Sequence, residues 1–226
     1  MEAYLSLWET YGPRMLETFW TNMQLTFWAA IASVTLGALL ALMRISPVTS
    51  LRWVGAAYVN IFRNTPLTII MTFGVLVLFG VFRVQIADDF NLNFFRIAII
   101  GLTVYHAAFF CEAIRSGVNT VPLGQAEAAR AIGLSFLPAA RLVIFPQALR
   151  GSIAPMGNVL IALIKNSTVA MAGSVAEISG TMRTMMEFRP DVGIPIFLTV
   201  AAFFVIVVLP VGMLATYLSK KLAVAR

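Results

Sequence analysis

Long apolar stretches alternate with short polar connections along this chain, and the lengths of the apolar stretches predict membrane crossings. No charged residue lies between Glu17 and Arg44. Residues 18–43 therefore predict an apolar helix about 39 Å long, because an α-helix rises about 1.5 Å per residue. The hydrocarbon core of a bilayer is about 30 Å thick, so this helix crosses it with some tilt. The stretch is too long for a cleaved signal peptide, and we interpret it as a span of the mature protein.

Four further stretches have the same apolar character. Their approximate bounds are residues 53–82, 96–115, 151–176 and 192–217. The first of these four is less regular than the others, because the polar residues 63–65 and Pro66 interrupt it. The pattern predicts an all-α integral membrane protein with five transmembrane helices in a single domain, residues 1–226.

The composition supports a membrane protein over a soluble one. Of the 226 residues, 60% are hydrophobic and only 12% are charged, whereas an ordinary soluble domain is about a quarter charged. The net charge of +6 does not predict a nucleic-acid partner, because the basic residues are dispersed between apolar stretches. Membrane lipid is the surrounding partner that we expect. Cys111 is the only cysteine and His106 the only histidine, so the sequence predicts no intrachain disulfide and no metal site.

The distribution of Lys and Arg predicts the orientation of the chain. If the amino terminus lies outside, nine basic residues of the connections and ends lie on the cytoplasmic side and five lie outside. Cytoplasmic connections of membrane proteins carry the excess of Lys and Arg. We therefore predict an outer amino terminus and a cytoplasmic carboxyl terminus.

The longest polar connection, residues 116–150, is predicted to lie in the cytoplasm and to form two short helices at the membrane surface. Asn119 or Thr120 can cap the first helix, whose sequence is strongly helix-forming. Gly133 can close it, because glycine readily adopts the left-handed conformation found at helix ends. Ser135 can cap the second helix.

The connection contains a spaced motif, formed by Glu127, Ala128, Ala129, Gly133 and Pro146, with Val143 and Phe145 before the proline. This motif resembles the signature segment of the permease subunits of bacterial ABC importers. That signature is Glu-Ala-Ala, three residues, Gly, nine residues, then Ile-x-Leu-Pro, so Val143 replaces Ile and Phe145 replaces Leu. The resemblance implies the type I ABC importer permease fold in a bacterial cell membrane. It also implies that the segment is a coupling helix, which docks in a cleft of a cytoplasmic ATPase subunit.

Two further motifs resemble those of permeases for polar amino acids. They are Phe62-Arg63-Asn64-Thr65-Pro66 in the second span and Lys165-Asn166-Ser167-Thr168 in the fourth. Residues 43–48 and 115–121 resemble the actinobacterial glutamate-uptake branch. The likeness implies a heterodimer with a second permease subunit, two ATPase subunits and an extracellular substrate-binding protein. Glutamate is the expected substrate, while glutamine, histidine and arginine remain open.

No nucleotide-binding motif Gly-x-x-x-x-Gly-Lys-Ser/Thr occurs in the chain. The resemblance therefore implies that ATP and magnesium bind to the partner ATPase. We expect this chain to bind no cofactor and to have no enzyme activity.

Charged side chains inside the spans are the candidates for a substrate path, because such a group costs about 2.5–3.5 kcal/mol at a helix centre. The ammonium of Lys165, with Asn166, Ser167 and Thr168 beside it, suits the carboxylate of a passing amino acid. A lysine that snorkels or pairs with an acid is the alternative. Arg63 either lines the path or has a structural role near the break at Pro66.

Two other classes of protein compete with this interpretation. An ion-coupled secondary amino acid transporter could use intramembrane charges, but such carriers usually have two similar halves, which this chain lacks. An intramembrane hydrolase would need a nucleophile beside a base. Ser167 and Lys165 are two residues apart on one predicted helix and so point to different faces.

Overall fold

The computed structural model describes residues 2–222, apart from the side chains at positions 2–4 and 6, and this part of the chain is helical. The nine α-helices of the described residues are α1 (Glu2–Ile45), α2 (Thr49–Asn64), α3 (Leu67–Phe73), α4 (Phe90–Val118), α5 (Leu123–Ala131), α6 (Phe136–Ala139), α7 (Phe145–Asn166), α8 (Ile178–Phe188) and α9 (Gly193–Lys221). Two π-helical segments, Gly74–Val81 and Ala140–Ile144, and two 3-10 segments, Ser167–Gly173 and Pro190–Val192, extend or join them.

Four helical stretches of the described chain are long and apolar enough to cross a membrane by themselves. They are Leu7–Ile45, Phe90–Val118, Phe136–Gly173 and Pro190–Lys221. A fifth crossing requires Thr49–Asn64 and Leu67–Val81 to act as one broken span, because their axes differ by 98°. The five apolar stretches of the sequence thus correspond to four continuous helices and one bent pair.

The bend lies where the sequence predicted an interruption, at Thr65 and Pro66. Thr65 is extended, with φ −98° and ψ 127°, as expected for a residue that precedes proline. Pro66 then stands at the start of α3, where its missing N–H costs no helical hydrogen bond.

Contacts divide the chain into two compact units. The first comprises residues 1–30, 66–102 and 162–210. Its core is a cluster of buried apolar side chains from α1, α8 and α9, with the residues around it. Leu7, Met15, Ile178, Met185 and Ile196 are its most deeply buried members.

The second unit comprises residues 31–65, 103–161 and 211–226. Its core combines large side chains with small ones, which lets helices approach closely. Ala107, Ala108 and Cys111 on α4 are fully buried beside Leu40 and Ala41 of α1. The lone cysteine is therefore a buried packing residue.

The closest glycine contact of the second unit joins α4 to α7. A Cβ atom added to Gly117 would lie 2.0 Å from Ser152 Oγ and 2.2 Å from the carbonyl oxygen of Ala148. The Ser152 hydroxyl has little room to move, because it lies 2.7 Å from the Ala148 carbonyl and 3.2 Å from the Ile114 carbonyl. We infer that only glycine fits at position 117.

Replacing this glycine is expected to destabilise the protein. Gly117→Ala should lower the free energy of unfolding by about 1–3 kcal/mol, the usual cost of an overpacked core. The measurement is thermal unfolding of the purified protein in detergent. Gly193→Ala is the matched control, because among the described residues an added Cβ there would meet no atom within 4 Å. Equal melting temperatures for the two variants would contradict the close approach.

Candidate coupling segment and substrate path

The turn after α5 closes as the sequence predicted, with Gly133 in the left-handed region. Its φ is +89°. The amide of Gly133 donates to the carbonyl of Arg130 at 3.0 Å, and the amide of Leu134 donates to the carbonyl of Ala129 at 3.1 Å. These two bonds form a Schellman motif, which satisfies carbonyls at the end of the helix. The Glu-Ala-Ala segment therefore lies on a short helix with a defined end.

The predicted capping of this segment is wrong at its start. Pro122 occupies the N-cap position of α5, and no side chain caps the helix there. The Thr120 hydroxyl instead donates to the carbonyl of Gly117 at 2.7 Å, so it serves the end of α4. Ser135 does occupy the N-cap position of α6, but its side chain makes no cap hydrogen bond.

The second predicted short helix is not separate from the fourth span. It starts at Phe136 and continues through a π-helical turn into α7. The continuous helical stretch runs from Phe136 to Gly173, so it begins 15 residues before the predicted start of that span at residue 151. Of the connection 116–150, only residues 119–135 lie outside the long helices, because α4 continues to Val118.

Most of the predicted coupling residues lie at the surface of the second unit. Glu127, Ala128, Gly133 and Pro146 are exposed, whereas Ala129 is buried. Large apolar side chains near them are also exposed, with fractions of 82% for Leu123, 79% for Ile132, 64% for Leu137 and 65% for Leu142. Exposed large apolar groups are typical of surfaces that contact another protein or the membrane.

The residues at the end of α7 and directly after it differ from one another in exposure. Lys165 is exposed, and its ammonium has no ion-pair or hydrogen-bond partner among residues 2–222. Asn166 and Thr168 are partly exposed, whereas Ser167 is completely buried. The hydroxyls of Ser167 and Thr168 donate to the carbonyls of Ile164 and Lys165 at 2.7 and 2.8 Å. The path role of this motif stays a prediction, and only its lysine offers an exposed charge.

The break in the second span is supported by side chains other than Arg63. The side-chain amide of Asn64 donates to the carbonyl of Asn60 at 2.7 Å, and the Thr65 hydroxyl donates to the carbonyl of Ile61 at 2.8 Å. The exposed guanidinium of Arg63 lies over the ring of Phe109, 5.6 Å from its centroid. Such cation–π contacts leave the edge of the guanidinium accessible to a ligand.

A shared carboxylate lies where α1 and α4 end in the second unit. Glu112 pairs with Arg115 at 3.2 Å, and the spacing of three residues places both on one face of α4. Glu112 also forms an ion pair with Arg44, which the sequence did not indicate. One acid therefore compensates two guanidinium groups.

Sequence reasoning missed a buried polar network in the first unit. The amide nitrogen of Asn22 donates to Ser167 Oγ at 2.9 Å and to Glu177 Oε2 at 3.0 Å. The amide oxygen of Asn22 accepts from the backbone N–H of Ile178 at 3.1 Å. Asn22, Ser167 and Glu177 are all 0% exposed. A polar residue inside the first apolar stretch was the only signal in the sequence, and nothing there identified its partners.

Glu177 also caps α8. Its carboxylate accepts from the N–H of Ser179 at 3.0 Å and from the N–H of Gly180 at 2.9 Å. Complete burial raises the pKa of this carboxyl, because the charged form is poorly solvated, and the hydrogen bonds offset that rise only in part.

The long apolar helices define the class of the protein as a helical integral membrane protein, and the exposed segment between α4 and α6 is its candidate contact with a partner. Residues 33–224 match the family model described as binding-protein-dependent transport system inner membrane component. The chain belongs to this family.

Relatives and solved structures agree with this assignment. The chain is 42% identical to the glutamate transport system permease protein GluC of Corynebacterium efficiens, over 98% of this chain and 99% of the relative. It is 33% identical to the probable glutamine ABC transporter permease protein GlnM of Bacillus subtilis, over 92% of each. A crystal structure of an amino acid ABC transporter with histidines superposes with a TM-score of 0.81 and 25% identity, covering 96% of this chain and 98% of that one. The protein is thus a membrane permease of the ABC importer class.

The raised pKa of Glu177 predicts how stability changes with pH. Between the ordinary pKa of glutamate, about 4.3, and the raised pKa of the folded state, the folded protein holds a proton that the unfolded chain has lost. Stability from this group therefore falls as pH rises towards the folded-state pKa, by at most about 1.4 kcal/mol per pH unit.

The measurement is the melting temperature from pH 5 to pH 8, compared between the native chain and Glu177→Gln. The native chain should lose stability relative to the variant as pH rises. Glu187→Gln, which removes an exposed carboxyl from the same helix, is the control. A difference that stays constant, or that changes in the opposite direction, would contradict the effect of burial.

Proposed function

We propose that this chain forms the membrane pathway for glutamate in an ATP-driven importer. The observation that carries the proposal is the end-to-end likeness to a permease named for glutamate, 42% identical over 98% of this chain. Two exposed cations, Lys165 and Arg63, support an acidic substrate, because passage of a carboxylate requires positive groups in a low-dielectric path.

The energy for transport comes from ATP and magnesium bound to a cytoplasmic ATPase subunit, which docks on the coupling segment. The exposed side chains of Leu123 and Ile132 provide apolar area for that contact. Ala128 permits close approach of the partner backbone, and Glu127 pairs with a basic group. The Schellman turn at Gly133 fixes the direction in which the segment meets α6. Closure of the ATPase then moves the span that begins at Phe136.

The same proposal includes the rest of the assembly. A second, related permease subunit pairs with this chain, and an extracellular binding protein delivers the substrate. The amino terminus lies outside and the carboxyl terminus in the cytoplasm, as the distribution of basic residues predicts. In this orientation the coupling segment and the ATPase are on the same side.

Glutamine is the second candidate substrate. A relative named as a probable glutamine permease is 33% identical over 92% of this chain. Glutamate and glutamine share the α-amino and α-carboxyl groups and differ only in the charge of the side chain. The competition between them in uptake therefore decides which substrate the assembly carries. The alternative of an ion-coupled secondary transporter is excluded, because the chain belongs to the family of binding-protein-dependent transport components.

Reversing the charge of Glu127 is expected to uncouple the transporter. Glu127→Lys places a cation against the basic group that we propose on the ATPase, and like charges in an interface cost several kcal/mol, so uptake should fall at least about tenfold. The measurement is uptake of labelled glutamate in cells with equal membrane levels of each variant, together with copurification of the ATPase.

Glu187→Lys is the matched control, because Glu187 is exposed but lies outside the coupling segment. The control should retain both uptake and the ATPase. If Glu127→Lys takes up glutamate at the native rate, the proposed coupling role of this segment is wrong.

Removing the charge of Lys165 tests the substrate path. Lys165→Gln should lower the rate of glutamate uptake roughly 10- to 100-fold, since a hydrogen bond to a charged group contributes about 1.5–3 kcal/mol. Lys165→Arg keeps the charge and should retain most of the rate. Initial uptake rates in proteoliposomes provide the measurement. If Lys165→Gln transports at the native rate, the lysine is a structural residue outside the path.

A further inference from the structure

The buried network of Asn22, Ser167 and Glu177 joins three separate segments of the first unit. Asn22 lies within α1, Ser167 follows α7 directly, and Glu177 precedes α8. All three side chains are 0% exposed, and their bonds are 2.9–3.1 Å long. This network therefore fixes the end of α7 against two other helices.

The amide of Asn22 uses both of its donor hydrogens and also its acceptor oxygen. Both of its hydrogens are used, one by Ser167 and one by Glu177, and its oxygen accepts from the Ile178 N–H. Rotating the amide by half a turn would place its oxygen against a carboxylate and its N–H groups against another N–H. Aspartate would place a second carboxylate beside Glu177. Leucine would leave buried polar groups without partners, at a cost of about 1–3 kcal/mol each.

The Ser167 hydroxyl links this network to the carbonyl of Ile164, the residue that precedes Lys165 in the last turn of α7. It accepts from Asn22 and donates to the carbonyl of Ile164 at 2.7 Å. The Thr168 hydroxyl occupies the next carbonyl, that of Lys165, at 2.8 Å. Helix-terminal carbonyls normally attract a nearby ammonium group. The Ser167 and Thr168 hydroxyls thus compete with the ammonium for these two carbonyls, and the Lys165 ammonium has no hydrogen-bond or ion-pair partner among residues 2–222.

Glu177 does more than a helix cap requires. A serine would cap α8 without placing a long titratable side chain in a buried site. The longer side chain of Glu177 reaches Asn22 as well as the N–H groups of Ser179 and Gly180. It thereby holds both ends of the segment 167–177, in which Ser174 has a left-handed φ of +61°.

We propose that Asn22 and Glu177 are positioning residues for transport, which hold the Lys165 ammonium in the substrate path through Ser167. The inference rests on the proposed function, in which Lys165 meets the substrate carboxylate. Neither residue contacts the substrate itself. Their effect is on where the ammonium lies, and a displacement of about 1 Å in such a site can cost two orders of magnitude in rate.

The test measures glutamate uptake per ATP hydrolysed, in proteoliposomes that contain the complete assembly. Asn22→Leu, Glu177→Gln and Ser167→Ala should each lower this ratio about tenfold while the ATPase remains bound. Asn93→Leu is the matched control, because Asn93 is an equally buried asparagine of the first unit, 2% exposed, whose oxygen accepts from the Ile86 N–H outside this network. The control should lose stability and keep the native ratio.

A double variant separates positioning from general loss of structure. If Asn22 acts through the lysine, adding Asn22→Leu to Lys165→Gln should lower the ratio no further, whereas independent effects would multiply. Multiplying effects, or a native ratio in Ser167→Ala and Glu177→Gln, would overturn the inference. Where Asn22→Leu does not reach the membrane, Ser167→Ala is combined with Lys165→Gln in its place.

The same experiment distinguishes the two proposals. A native uptake rate in Lys165→Gln would refute the path role of the lysine, and the positioning role with it. If Lys165→Gln is defective while the network variants keep the native ratio, the path role of Lys165 stands. In that case only the positioning role of Asn22 and Glu177 is refuted.

Discussion

Peptide groups in the hydrocarbon core of a bilayer have no water to bind, so every N–H and carbonyl there must find a partner within the protein. Long helices meet this constraint along most of the described chain. At the breaks in the helices, side chains replace the missing backbone partners: Asn64 and Thr65 bind carbonyls before Pro66, while Ser167 and Thr168 bind carbonyls at the end of α7. The short polar side chains of both sequence motifs therefore stabilise the backbone by binding its carbonyls. The charged side chains of the motifs are the groups available for transport.

At each break, one exposed cation of the motif takes no part in these hydrogen bonds to the backbone. Arg63 lies over Phe109, and Lys165 projects from the last turn of α7 without a partner in the described chain. The hydroxyl and amide groups beside each cation stabilise the irregular backbone, and this leaves the charge free for a ligand. A motif that combines Lys or Arg with Asn, Ser and Thr thus serves two purposes, which explains why short polar side chains surround the charge.

The sequence was sufficient for features that depend on local pattern. Long apolar stretches predicted the spans, and Gly133 predicted the end of α5, because helix length and a left-handed turn follow from neighbouring residues. Continuity of α6 with α7 was missed, since the apolar stretch begins only at residue 151, after Arg141 and Arg150, although the helix continues through these residues. The bend of 98° between α2 and α3 was located by Pro66, but its size depends on tertiary packing. The contact of Asn22 with Glu177 joins residues 155 positions apart, and no single sequence indicates such a pairing.

The central claim is that ATP hydrolysis by a docked partner drives glutamate through this chain. It is tested most directly by accumulation of labelled glutamate in proteoliposomes that contain the complete assembly, with ATP and magnesium supplied on the ATPase side. The account predicts accumulation that requires ATP, persists without a proton or sodium gradient, and resists competition by glutamine. Accumulation driven by an ion gradient in the absence of ATP would contradict it.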